Sequence, residues 1–219
     1  QLGARYVVIY PSPANYIGTT EPFCGQPDQP VPVQFGLTER SRLLGRIEQF
    51  AKQQVPPAVM TRVRRFSIWR ETRNTAVLDR VPDASINAFG TDLECAVRAA
   101  RSLGAEPIIV THATLFGAAV QPDDEDMLVA WRRFYPELAE GGFLDLERRA
   151  NAAALAVATR NDVRVVRADA LIPRGRENFA DFVHFTDRGA GLMATALADS
   201  LLADGASADH LAAEPRKSE

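Results

Sequence analysis

The apolar positions fall into two patterns, short continuous runs and longer stretches of helical period. The first run, Ala4 to Tyr10, reads Ala-Arg-Tyr-Val-Val-Ile-Tyr and stops at Pro11. A β-branched and aromatic run of this kind predicts a strand buried on both faces, as in a parallel sheet. Pro11 to Gly18 follows as a turn. Glu21 to Val33, with four prolines and a glycine, follows as a loop. Leu37, Leu43, Leu44, Ile47, Phe50 and Ala51 recur at helical spacing up to Gln54, with Thr38 as the N-cap candidate. From Val55 to Pro82 the pattern weakens. Pro56 and Pro57 break the helix, and Arg62, Arg64, Arg65, Arg70 and Arg73 surround Phe66 and Trp69. This stretch reads as an amphipathic insertion with a solvated basic face.

Regularity returns at Ser85. Ile86, Phe89, Leu93, Val97, Ala100 and Leu103 mark a helix closed by Gly104. Pro107 to Thr111 is a second buried strand. Asp123 to Asp126 precede a short helix running to Tyr135, where acids suit the N-terminal end. A further helix covers Leu144 to Arg160, and Val163 to Ala168 is a third strand. Phe179 to Thr186 is a loop, Asp187 to Ala203 a last amphipathic helix, and Gly205 to Glu219 a polar tail. Strands separated by helices predict an α/β domain over residues 1–204, with a parallel sheet and right-handed crossovers. Three strands are few for such a sheet, and the first would present an unpaired hydrophobic edge. The chain opens on Gln1 rather than Met, so two further strands are expected upstream, in a longer protein.

Composition narrows the function classes. The 219 residues are 46% hydrophobic and 24% charged, the balance of one globular domain with a sizeable core. A net charge of −3 argues against a nucleic-acid footprint, although Lys52 and Lys217 are the only lysines beside many arginines. No run of apolar residues is long enough to span a membrane. Cys24 and Cys95 read as buried thiols rather than a disulfide, and sequence alone cannot pair them.

In open α/β sheets, functional residues gather in the loops after the carboxyl ends of the strands. The loop before the last helix holds Asp181-Phe182-Val183-His184-Phe185-Thr186-Asp187. A neutral imidazole is a general base near pH 7, and a carboxylate on its other nitrogen fixes the tautomer and stabilises the imidazolium. Asp181 and His184, three residues apart in one turn, supply such a pair. As a bare spacing this is weak, with roughly 0.2 occurrences expected by chance; its place between the last strand and the last helix gives it weight. Thr186 or Asp187 caps that helix. His112 ends the second strand, where it either lines the same cleft or is a structural histidine bonded to backbone. His112, Asp123 and Asp124 match no strong metal-ligand spacing.

The closing block, Asp-x-x-His continuing as His-Phe-Thr-Asp-Arg-Gly-Ala-Gly-Leu-Met-Ala from His184, resembles that of the SGNH hydrolases, the GDSL-like lipases, esterases and acylhydrolases. The run from Phe89 through Cys95 to Thr111-His112 is similar to the helix and strand before that family's last crossover. The opening strand and its loop resemble the block carrying Gly-x-Asn-Asp. The resemblance implies a flavodoxin-like three-layer α/β/α fold whose N-terminal strands are missing from this chain, and a Ser–His–Asp triad with an oxyanion hole. His184 is then the general base, Asp181 its orienting acid and Asn15 the oxyanion asparagine. Pro13 stands where that pattern has Gly, and Tyr16 where it has Asp. No Gly-Asp-Ser occurs, and Asp199-Ser200 lies inside the last helix, so the nucleophile is expected upstream of Gln1. The implied reaction is hydrolysis of a small-molecule ester, or of an acylated carbohydrate or lipid, with no cofactor or metal. Acyl transfer to another alcohol is the enzymatic alternative. A binding module that has lost the serine is the non-enzymatic one.

Overall fold

The computed structural model describes residues 3–26, 56–73, 76–117 and 120–212, so the helix expected over Leu37 to Gln54 lies outside the described residues. Within them, three strands form one sheet in the order β1 (Tyr6–Ile9), β2 (Glu106–Val110), β3 (Arg164–Val166). Both pairings are parallel, with Val8 opposite Ile108 and Ile109 opposite Val165. Parallel neighbours need crossovers, and helices supply them. Between β1 and β2 run α1 (Pro57–Thr72) and α2 (Asp83–Ser102). Between β2 and β3 run α3 (Glu125–Arg132) and α4 (Glu140–Asn161). A single turn, α5 (Ala168–Leu171), and the long α6 (Asp187–Ala212) follow β3. The α/β parallel-sheet expectation therefore holds.

The strand period of two divides the core. Ile108 and Val110 of β2 belong to a cluster with Trp131, Phe143, Leu146 and Phe179, against which Leu192, Met193, Leu197 and Leu201 of α6 pack. Ile109, between them in sequence, joins a second cluster built from Ala88, Phe89, Leu93 and Val97 of α2 with Ala150, Ala154 and Val157 of α4. The first strand departs from its expected burial on both faces. With β2 its one neighbour among the described residues, it is an edge, and Val8 and Tyr10 are exposed.

Helix ends follow local chemistry. Leu103 closes α2, and Gly104 behind it takes φ +76°, a left-handed conformation that only glycine adopts without a steric penalty. The Gly104 N–H donates to Arg101 O and the Ala105 N–H to Ala100 O, satisfying the last carbonyls. At the end of α4 the same role falls to Asp162, at φ 49°. That helix starts at Glu140, a turn earlier than its spacing predicts, and α6 runs on to Ala212, into the stretch expected to be tail.

Two readings of the N-terminal half change. Cys24 and Cys95 are joined in a disulfide, which ties the loop after β1 to α2. Their 71-residue separation hid the pairing from any local pattern. The same loop is also held by Asp92, which accepts the Tyr16 hydroxyl at 2.6 Å and the N–H groups of Phe23 and Cys24 at 2.9 and 2.7 Å. In α1, Ile68 is buried, whereas Val59, Val63, Phe66 and Trp69 are exposed among the arginines. The basic face is also not wholly solvated: Arg65 pairs with Glu125 at the start of α3, and Glu71 pairs with Arg133.

Candidate active site

The loop carrying Asp181 and His184 is a small structure of its own. Phe179 and Phe185 face each other in an antiparallel bridge. The Ala180 N–H donates to His184 O at 2.8 Å and the Thr186 N–H to Asn178 O at 3.0 Å. Inside this bracket the Asp181 Oδ1 accepts the N–H groups of Val183 and His184, at 2.9 and 2.8 Å. An aspartate that closes a turn on the N–H groups two and three residues ahead is a standard device of that side chain. It leaves Oδ2 for the imidazole, and His184 Nδ1 lies 2.7 Å from it. The imidazole is 76% exposed, open to a partner at Nε2. Partial burial pushes the Asp181 carboxyl up, but the N–H groups of His184 and Val183 and then the imidazole outweigh it, holding the pKa below the ordinary value. The carboxylate is thus ionised throughout the neutral range.

Core packing fixes the loop in space. The Phe182 ring stacks on Trp131 at 5.3 Å between centroids, and Trp131 stacks in turn on Phe116. The Phe182 carbonyl accepts the Leu115 N–H at 3.1 Å, which ties the loop to the segment leaving the carboxyl end of β2. On its other side Thr186 caps α6, its Oγ1 accepting the Gly189 N–H at 3.2 Å, while Asp187 occupies the first helical turn. Of the two cap candidates, Thr186 is therefore the N-cap and Asp187 a favourable charge at the helix start.

His112 sits elsewhere. It is 8% exposed, and its Nδ1 lies 2.8 Å from Glu147 Oε2 of α4. Its backbone N–H donates to Asn151 Oδ1, and its carbonyl accepts Asn151 Nδ2, both at 2.8 Å. The Tyr10 ring lies 5.3 Å from the imidazole. Burial pushes the Tyr10 phenol up and the nearby Glu147 charge adds to it, against the Ala113 N–H that the hydroxyl accepts. His112 lines a cavity of 610 Å³ with Thr114, Phe116, Glu147, Asn151, Arg174 and neighbours; neither Asp181 nor His184 lines it. No metal-binding group of three or more His, Cys, Asp or Glu occurs among the described residues, and Asp124 pairs with Arg176 instead.

Asn15 lies in a 3-10 turn over Pro13–Tyr16 that follows β1, exposed, and no hydrogen bond links it to His184. Glu147 and Asn151 were missed by sequence reasoning. Their signal was present: both fall in a stripe of α4 otherwise made of Phe143, Leu146, Ala150 and Ala154, all buried. A carboxylate on such a stripe needs a partner, and that partner, His112, lies 35 residues earlier. No protein-family model, curated protein or solved structure matches the chain.

Proposed function

We propose that this chain is the C-terminal part of an SGNH-type serine ester hydrolase, with His184 as general base and Asp181 as its orienting acid. The observation that carries the reading is the 2.7 Å Nδ1–Oδ2 contact beside a solvent-open imidazole, held by a loop bonded to the segment after β2. That is the base half of a triad, placed where open α/β sheets bear their chemistry. The order β1-β2-β3, with successive β2 residues entering opposite clusters, agrees with the C-terminal half of a flavodoxin-like three-layer sheet. The exposed edge of β1 leaves room for the remaining strands.

In this reading a serine from outside these 219 residues attacks the ester carbonyl while His184 Nε2 takes its proton. His184 returns that proton to the leaving alcohol, and water then hydrolyses the acyl-enzyme. Backbone N–H groups and an asparagine hold the oxyanion; Asn15 is the candidate, since it follows β1. An acceptor alcohol in place of water would turn the same cycle into acyl transfer. The disulfide fits a protein matured in an oxidising compartment.

The test uses the full-length natural protein. A fluorophosphonate probe should label it at one serine, and His184→Ala should abolish labelling and ester turnover without lowering Tm, because the side chain is exposed. Undiminished turnover in that variant overturns the assignment. Absence of labelling in the unaltered protein makes a binding module of the same fold the better account.

A further inference from the structure

Away from His184, the 610 Å³ cavity combines features that a purely structural pocket does not need. Most of its polar lining is mutually satisfied. Asp145 pairs with Arg148, and Asp169 accepts Arg167 at 2.8 and 2.9 Å and the Thr111 hydroxyl at 2.6 Å. Asn151 is occupied by the His112 backbone. Two lining groups differ. Glu147 is buried to within 9% of its side chain, yet its Oε1 has no hydrogen-bond partner among the described residues. A buried, unpartnered carboxylate oxygen is costly and calls for a donor from outside the chain. The second group is Arg174, which makes neither ion pair nor hydrogen bond among the described residues. Its guanidinium lies close over Gly117, where an added Cβ would come within 2.8 Å of Nη1. Phe116, Leu144, Ala152 and Leu155 supply apolar wall.

We infer that this cavity binds a small polyhydroxylated acid, its anionic group on Arg174 and a hydroxyl donating to Glu147 Oε1. A guanidinium is suited to carboxylate or phosphate, and a buried carboxylate to a hydroxyl. His112, held in place by Glu147 Oε2 and Asn151, forms the wall beside that hydroxyl. Small-molecule sites have this composition, an apolar lining with a few fixed polar groups. The inference is independent of the ester chemistry proposed for His184.

Isothermal titration of the full-length natural protein with D-glucuronate and with glucose 6-phosphate separates the two anion sources, carboxylate and phosphate. At least one should bind, with D-glucose and acetate about tenfold weaker or worse, since each offers half of the recognition. Arg174→Gln and Glu147→Gln should each weaken binding about tenfold or more, and His184→Ala should leave it unchanged. Arg174 is exposed, so its variant decides the matter if loss of the buried Glu147 charge disturbs folding. No binding of either acid at about 10 mM, or binding that ignores the Arg174 substitution, overturns the inference and leaves the cavity a water-filled one.

Discussion

At the scale of single residues, Asp181 has two tasks. One oxygen closes its own turn on two N–H groups, and the other holds the imidazole. Asp181→Asn keeps a carbonyl oxygen for the turn but removes the charge, so the loop should persist while the base loses its orienting partner. In the full-length natural protein, the proposed ester turnover should fall by about 10⁴ if the pair acts as a triad base and acid. Linkage gives a second readout. A carboxyl whose folded pKa lies below its unfolded value contributes stability that is fully present above the unfolded value, about 3.9, and lost as pH falls through the folded one. The stability difference between the unaltered protein and Asp181→Asn should therefore shrink as pH falls below about 4. Thermal unfolding from about pH 5 downward checks it; a difference that grows below about pH 4 would contradict the assigned shift.

At the scale of elements, the loop carrying Asp181 and His184 depends on how closely α6 approaches it. A Cβ added to Gly189 would lie 2.0 Å from the Asn178 carbonyl oxygen, and backbone cannot give way as a side-chain tip does. That carbonyl is the acceptor for Thr186 N–H, at the base of the bracket around Asp181 and His184. Gly189→Ala should destabilise the protein by about 1–3 kcal/mol, as other overpacked sites do. It should also speed hydrogen exchange at Ala180 and Thr186, whose N–H groups close the bracket. Gly191 is the natural control, because an added Cβ there meets nothing within 4 Å. Sequence period located α2, α4 and α6 because each buries an apolar stripe. The start of α4 was not legible, since Glu140 and Gly141 lack apolar period and are recruited by their neighbours. The bracket itself was invisible for a similar reason: two phenylalanines in a loop do not announce that they face each other.

At the scale of the whole molecule, the disulfide and Asp92 fasten the loop after β1 to α2, beside a strand that is otherwise an edge. Closing a loop of this length removes about 4 kcal/mol worth of unfolded-state chain entropy. Replacing both cysteines, Cys24→Ser with Cys95→Ser, should lower unfolding stability by about 2–4 kcal/mol and raise protease sensitivity around residues 19–26. Chemical denaturation under oxidising and reducing conditions measures it. The unaltered protein should fall to the double variant's stability on reduction, and the variant itself should not respond. Equal stability in all states would mean that Asp92 alone holds the loop.

Residue pattern alone settles what depends on a few neighbouring positions. It located the three strands, the helices α2, α3, α4 and α6, the glycine cap at Gly104 and the spacing that brings Asp181 to His184, but not α1, where Pro56 and Pro57 read as breaks and Pro57 instead opens the helix. Those signals are local because backbone geometry, turn closure and amphipathic period are local. Tertiary structure decided everything that needed two distant segments. Cys24 met Cys95, His112 met Glu147, and Leu115 met Phe182, each across a separation that no periodicity encodes. It also decided how much of β1 stayed exposed, because burial of a strand depends on its neighbours and not on its own residues.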